Sequence, residues 1–475
     1  MRPLVQIKAL AVILPVTLMT GCLVGPNYKR PVVNAPATTR GGGPTAEQAS
    51  FADLPWWEVF KDPSLQELIK TALANNYDLK IAVTRVEQAR QISAQARSQY
   101  FPAVGYQGGV GGGRNEFVGA ITPGLGNIQG SALVAASAAW EPDIWGRIRR
   151  TNEVAMAQFL ATEEAKRGVL LTLTSDVAQA YFELLGLELQ LDIAKKSTAS
   201  FQDTVKLFTN RFEGGVSSML DVSRAQAAEA TVAANIPELE RQIGLKENQI
   251  SVLLGQNPRE IQHTATLLEE IIPPEIPVGL PSDLLERRPD VLGAEDQVKA
   301  ANAQIGVAQA AFFPKIGLTA LFGQGSAPLA EFTSGTSNIW SFAGNFAGPI
   351  YTGGLLKAQK RQAIAAWEQA KLQYEQAALN AFTDVSNALI SRQKFEGVLA
   401  EQKRAVQAYE ESVNLSMKRF VAGKASYYEV LEAQQQLYPA QNSVAITELN
   451  RRVVIVDLYR SLGGGWKLTD AQWNH

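Results

Sequence analysis

The sequence predicts a mainly α-helical chain that carries some membrane β-structure and is internally duplicated. Three observations carry this reading. Two glycine-containing stretches each interrupt a pair of long helical patterns: Arg211-Phe212-Glu213-Gly214-Gly215-Val216-Ser217-Ser218-Met219-Leu220-Asp221-Val222, and Arg419-Phe420-Val421-Ala422-Gly423-Lys424-Ala425-Ser426-Tyr427-Tyr428-Glu429-Val430. A glycine between two amphipathic runs is a helix stop followed by a restart, so each stretch reads as the tip of a helical hairpin. The shared residues recur at one offset of about 208 positions, the mark of an internal repeat. Finally, four segments alternate in polarity over about 10–12 residues each, the length of a membrane-crossing strand.

The repeat extends beyond the tips. Leu254-Gly255 matches Leu462-Gly463, Asp176-Val177 matches Asp384-Val385, and Pro142 with Gly146 matches Pro349 with Gly353 one register away. Upstream, Asn76-Tyr77-Asp78-Leu79 matches Arg288-Pro289-Asp290-Val291, and Phe101-Pro102 matches Phe313-Pro314. Each half is too long for a solenoid repeat and reads as a duplicated half-structure, over 64–255 and 282–463.

Composition removes several function classes. A net charge of −2 over 475 residues is not that of a nucleic-acid binder. With two histidines, His263 and His475, and one cysteine, Cys22, there is little raw material for a disulfide, a Cys/His metal site or nucleophile–histidine catalysis. Gly111-Gly112-Gly113 lacks the Lys-Ser/Thr of a phosphate-binding loop. The expectation is no enzyme, no metal and no cofactor beyond a covalent lipid.

Taken in order, residues 1–21 read as an export signal. Arg2 and Lys8 precede an apolar run, Ala9 to Leu18, too short to span a bilayer. Met19-Thr20-Gly21-Cys22 resembles a bacterial lipobox, which implies lipidation of Cys22. Residues 22–63 form a lipid anchor and an extended strap rich in Pro, Gly and Thr, which should run over a surface until Leu54-Pro55-Trp56-Trp57 anchors it. Asp62-Pro63 starts a helix with proline in its first turn.

Helices are expected over about 64–100, 147–212, 217–254, 282–312, 354–420 and 425–462. The one over 147–212 contains no proline and would be roughly 100 Å long. Phe201, Val205, Phe208 and Phe212 step by coiled-coil spacing. Pro237 and Pro439 should kink their helices. The β-hairpins occupy 101–142 and 313–350, with polar loops over 111–130 and 323–338. Val104, Tyr106 and Val110 share a face. So do Pro314, Ile316, Leu318, Ala320 and Phe322, with Lys315, Thr319 and Gln324 off it. Trp340, Phe342, Phe346 and Ile350 face away from Ser341 and Asn345. Tyr100, Phe101, Trp140, Trp145, Phe313 and Tyr351 crowd the helix-proximal ends like an interfacial girdle. Four strands cannot close a barrel and an open edge is not tolerated in lipid, so several chains must contribute; trimers of twelve strands and dimers of eight both satisfy this. A proline-rich linker occupies 256–281, and a tail 464–475.

These features together resemble the TolC/OprM-like outer-membrane factors, lipoprotein branch. The residues that carry the resemblance are the lipobox with Val24-Gly25-Pro26-Asn27-Tyr28, Trp57, Phe60, Asp62, Leu65, Asn76, Asp78-Leu79, Phe101-Pro102, Trp140-Glu141-Pro142-Asp143 with Trp145-Gly146, the first tip, and Pro281-Ser282-Asp283-Leu284-Leu285-Glu286-Arg287-Arg288-Pro289-Asp290. The resemblance implies a homotrimer with a 12-stranded β-barrel in the outer membrane, four strands per chain, continuous with a long α-helical coiled-coil barrel in the periplasm. It implies an equatorial belt built from 23–62, 256–280 and 463–475. The implied function is a passive efflux duct driven by a periplasmic adaptor and an inner-membrane RND-type pump; a protein-secretion duct or a coiled-coil scaffold lipoprotein are the alternatives. The adaptor would grip the tips at Arg211, Gly214, Gly215, Ser218, Asp221, Arg419, Gly423, Ser426 and Glu429. Glu213, Asp221, Lys418, Arg419 and Glu429 are the gate candidates. Glu429 in place of Asp, and Tyr427-Tyr428 in place of Met219-Leu220, separate the second tip from the first.

Overall fold

In this computed structural model the described residues are 23–41, 50–114, 128–269, 281–326, 332 and 337–473. Cys22, the signal 1–21, Gly42-Gly43-Pro44, residues 270–280 of the proline linker and parts of both strand loops lie outside them. The main elements are α1 (Pro63–Asn75), α2 (Tyr77–Ser98), β1 (Ala103–Arg114), β2 (Ile128–Trp140), α3 (Arg147–Glu213), α4 (Met219–Ala233), α5 (Asn235–Leu253), α6 (Pro289–Ala310), β3 (Lys315–Ser326), β4 (Asn338–Ala347), α7 (Leu355–Val421) and α8 (Tyr427–Ser461). Among the described residues no helix is long and apolar enough to cross a membrane. Two compact units group these elements.

The first unit comprises described parts of Met1–Pro31, Val86–Thr162 and Ala294–Tyr374. Its sheet runs β1-β2-β3-β4, antiparallel throughout, so the two hairpins join through β2 and β3. Registers such as Tyr106↔Ala136, Ala136↔Phe322 and Phe322↔Trp340 set these side chains, with Val104, Leu318 and Phe346, on one face. That face is exposed and apolar: Tyr106 is 93% exposed, Trp340 78% and Phe346 82%. Gln107, Ser137, Thr319, Ser341 and Asn345 take the opposite face. Gln324 does not fall off the apolar set as expected. It pairs Asn338 in the same unbroken alternation as Phe322. The strands also extend into the expected loops, to Arg114, Ile128 and Ser326.

At the helix-proximal end of the sheet, one aromatic N–H closes the first hairpin and another ties it to the second. Trp140 donates to the Tyr100 carbonyl at 2.9 Å and Trp145 to the Pro314 carbonyl at 2.8 Å, with Trp145 stacked on Phe313 at 4.7 Å. Asp143 accepts from the Ile148 and Arg149 N–H groups at 2.9 and 2.8 Å and so caps α3. The strap begins here. Buried Arg150 donates to the Val24 and Gly25 carbonyls, both at 3.2 Å, and to Asn27 Oδ1 at 2.9 Å. Asn302 donates to the Pro26 carbonyl at 3.0 Å. Gly25 has φ +94°, and a Cβ there would stand 2.4 Å from Gly306 Cα, so backbone meets backbone.

The second unit comprises described parts of Val32–Arg85, Glu163–Gly293 and Glu375–His475. Its core gathers Phe51, Trp56, Phe60, Leu65, Ile69, Tyr181, Leu184, Leu254, Tyr459 and Trp473. Trp56 is fully buried, as the anchoring role expected of it requires. The Tyr181 hydroxyl donates to Asp62, whose other carboxylate oxygen caps α1 through Ser64 N–H at 2.8 Å.

The duplication is built into the joints of this unit. The helix expected over 64–100 breaks at Asn76, and the one over 282–312 breaks at Arg288, both in extended backbone. Asn76 Nδ2 donates to the Leu253 carbonyl at 2.9 Å, and Arg288 Nη1 to the Ser461 carbonyl at 3.1 Å. Each joint thus satisfies a carbonyl at the end of its own half's last helix. The glycines after those helices, Gly255 (φ +66°) and Gly463 (φ +73°), lie against the backbone carbonyls of Asn75 and Arg287.

Two expected kinks resolve differently. The helix over 217–254 divides at Ala234, and Pro237 is then the third residue of α5, in the first turn, where its missing N–H costs no helical bond. Pro439 lies inside α8, which is assigned as one helix through it.

Candidate functional site at the helical tips

At the first tip α3 ends in a left-handed cap. Gly215 (φ +73°) donates to the Phe212 carbonyl at 2.9 Å, and Val216 reaches back to the Arg211 carbonyl at 2.8 Å. Helix α4 then restarts on a capping box: Ser218 Oγ accepts from Asp221 N–H at 3.3 Å, while the Asp221 carboxylate accepts from Ser218 N–H at 3.2 Å and Ser218 O–H at 2.7 Å. Ser217 O–H adds a bond at 3.2 Å. The Ser218 hydroxyl leads in holding the Asp221 carboxyl below the usual carboxylate range.

The second tip repeats the stop but not the restart. Gly423 (φ +68°) donates to the Phe420 carbonyl at 3.0 Å and Lys424 to the Arg419 carbonyl at 2.8 Å. Ser426 and Glu429 have capping-box spacing, yet the Ser426 side chain makes no cap bond. Glu429 turns instead to Arg419, 3.7 Å away, and Arg419 also donates to the Lys424 carbonyl at 3.3 Å.

The two tips meet through apolar and aromatic side chains. Phe201, Phe208, Val222, Ala225, Tyr427, Val430 and Leu431 form one buried cluster. The Phe208 ring lies 3.9 Å from Tyr427 and 5.3 Å from Phe420, and the Arg211 guanidinium sits 4.8 Å over Phe420. Gln434 donates to Thr204 at 3.1 Å inside the seam. The expected coiled-coil run stops at Phe208; Phe212 is exposed. Burial, with the Asp221 charge second, pushes the Tyr427 hydroxyl up to about 12, and that hydroxyl makes no hydrogen bond.

The structure therefore places Asp221 with its own hairpin's serines and Arg419 with its own hairpin's Glu429. Glu213, Gly214, Ser218, Lys418, Gly423 and Ser426 are exposed. A Cβ added at Gly215 or Gly423 would meet open space, so both glycines answer to backbone sign rather than crowding. Missing from the sequence reading is the exposed apolar set around both turns: Val216 (68% exposed), Met219, Leu220, Val421 and Tyr428. A concentration of exposed apolar side chains marks an interaction surface. The only advance signal was that Met219-Leu220 and Tyr427-Tyr428 stand where exposed helix starts carry polar residues.

Comparison with known proteins places this geometry. The family model for Outer membrane efflux protein matches residues 68–256 and 280–464, one stretch in each half. The solvent efflux pump outer membrane protein SrpC of Pseudomonas putida is 34% identical over 459 residues, covering 95% of this chain and 97% of that protein. The cation efflux system protein CusC of Escherichia coli is 29% identical over 457 residues, covering 94% and 97%. Among solved structures, the outer-membrane channel OprN superposes with a TM-score of 0.87 at 29% identity, over 94% of this chain and 100% of that one. With both halves matched and nearly the whole length shared, the chain belongs to the outer membrane efflux protein family.

Proposed function

We propose that this outer-membrane efflux protein is the passive duct of a tripartite system, a homotrimer whose twelve strands close one barrel. The observation that carries this is the sheet. It exposes an apolar face, and β1 and β4 each pair on one side only within the chain. An unpaired strand edge in hydrocarbon leaves N–H and C=O groups unsatisfied at several kcal/mol each, so the edges must be met by other copies. Three copies give twelve strands, an even number within the range of known barrels. Cys22 carries the lipid, and the strap that follows it is docked on Arg150 from Val24 to Asn27.

The tips dock a periplasmic adaptor, using their exposed apolar side chains and bare glycines, and an inner-membrane pump of the RND class supplies the energy. Small organic solutes are the cargo we favour, because SrpC bears the name of a solvent efflux pump. Deleting the gene should sensitise its host to such solutes, and wild-type protein, but not a variant with Gly215 and Gly423 both replaced by Val, should restore tolerance. Full rescue by that variant would remove the tips from the docking role.

A further inference from the structure

The chain leaving α5 folds back along the helices it has just left. Ser251 Oγ accepts from Arg259 N–H at 3.2 Å, and Glu247 Oε1 accepts from Ile261 N–H at 3.1 Å. Two residues further on, His263 directs both ring nitrogens at oxygen acceptors. Nδ1 is 3.1 Å from the Ala265 carbonyl and Nε2 is 3.0 Å from Glu188 Oε1 on α3. A neutral imidazole has one N–H, so one of these contacts would set a lone pair against an oxygen; the imidazolium donates to both.

The surroundings favour the charged ring. Its side chain is 13% exposed and stands edge-on to Tyr181, centroids 5.8 Å apart. Tyr181 in turn donates to Asp62. Glu240 and Glu247 of α5 and Glu260 of the returning segment line the same cleft as Glu188 and His263. Two of the cations nearby are engaged: Lys195 faces Glu240 at 3.6 Å and Lys246 faces Glu183 at 2.6 Å; Arg259, exposed, lies on the returning segment itself.

We propose that His263 is a pH-operated latch, which tightens the hold of the segment 256–269 on α3 when protonated and loosens it when neutral, while Ile261 and Leu267 stay buried in the core. The Glu188 carboxylate raises the imidazole pKa, with burial acting against it. A histidine raised in the folded state contributes stability that is complete below its unfolded value, about 6.5, and is lost as pH rises through the folded value. The latch is therefore closed below the unfolded value and loosens as pH rises through the raised folded one. For each unit by which folding raises the pKa, the closed form gains about tenfold. Because this segment is the first part of the linker between the two halves, the attachment of that linker becomes sensitive to the pH of its surroundings. The inference stands apart from tip docking.

The test uses full-length protein in detergent. Imidazole resonances of histidine-labelled wild type are followed from pH 5 to pH 9, with His263→Gln to separate His263 from His475, the only other histidine. Hydrogen exchange of residues 256–269 is measured at pH 6 and pH 8.5, corrected for intrinsic rates and referenced to α3. The expected result is a His263 midpoint above 6.5, a lower midpoint in Glu188→Gln, and segment protection that falls several-fold between the two pH values in wild type only. A midpoint at or below 6.5, a midpoint unmoved by Glu188→Gln, or equal protection at both pH values would overturn the latch. So would a wild-type fall in protection that persists in His263→Gln.

Discussion

The rings of Phe208 and Tyr427 lie 3.9 Å apart, and through them the first helical hairpin touches the second. The contact is aromatic, while Asp221 and Arg419 each bond within their own hairpin. Phe208→Ala should cost about 3–5 kcal/mol at the seam and raise the resting conductance of the channel in planar bilayers. Tyr427→Phe should be neutral or slightly closing, because the hydroxyl it removes is buried without a partner. Raised conductance in Tyr427→Phe would show that the hydroxyl, not the ring, holds the seam.

Asp221 belongs to its own helix. Asp221→Ala should loosen the start of α4 by about 0.5–2 kcal/mol, the worth of a cap, whereas Arg419→Glu breaks a half-exposed pair worth about 0–1 kcal/mol. Joining Asp221→Lys to Arg419→Glu should not restore closure, since the two side chains bond within separate hairpins. The cap is pH-sensitive. Its carboxyl is lowered in the folded state, so its contribution is present above the unfolded value near 3.9 and fades as pH falls through the folded one. Hydrogen exchange at residues 218–222 from pH 5 downward should show wild type approaching Asp221→Ala.

Arg150 is the clasp of the strap. Arg150→Ala strands two strap carbonyls, at about 1–3 kcal/mol for each left unsatisfied. Limited proteolysis should then cut residues 23–31 in the variant and spare them in wild type. Gly25→Ala should behave alike, since it combines a positive φ with a 2.4 Å approach to Gly306.

Cys22→Ser should abolish incorporation of labelled palmitate, because no other cysteine exists to accept it. The protein should still insert, as the apolar sheet face buries more surface than acyl chains. Palmitate entering the variant would contradict the lipobox reading.

The two faces of the sheet should respond oppositely to charge. Leu318→Arg or Phe342→Arg on the apolar face should cost about 2–4 kcal/mol per chain near the bilayer midplane, and block assembly. Thr319→Arg, on the opposite face, should assemble. Equal tolerance of all three would mean that the segments do not cross a membrane.

Much of this architecture was legible because it depends on local signals. Gly215 and Gly423 mark helix stops by their backbone requirement, and alternation in polarity marked the four strands before any register was known, most weakly the alanine-rich one over 131–142. The joints at Asn76 and Arg288 were matched in the repeat but read as helix interior, because their bonds reach carbonyls more than 170 positions away. Pro289 was the one local hint, since a residue before proline leaves the helical region. At the tips, periodicity could not say which of Tyr427 and Tyr428 is buried. The facing hairpin decides that, and it turns Tyr427 inward while leaving Tyr428 61% exposed.

The central claim is that copies of this chain close one conducting barrel by pairing their sheet edges. Native mass spectrometry of the detergent-solubilised protein, followed by reconstitution of the same sample in planar bilayers, tests it most directly. The expected result is particles of three chains that insert and give steady single-channel currents, with Leu318→Arg giving neither. Stable folded monomers in wild type, or trimers that insert and never conduct under any opening variant of the tips, would contradict it.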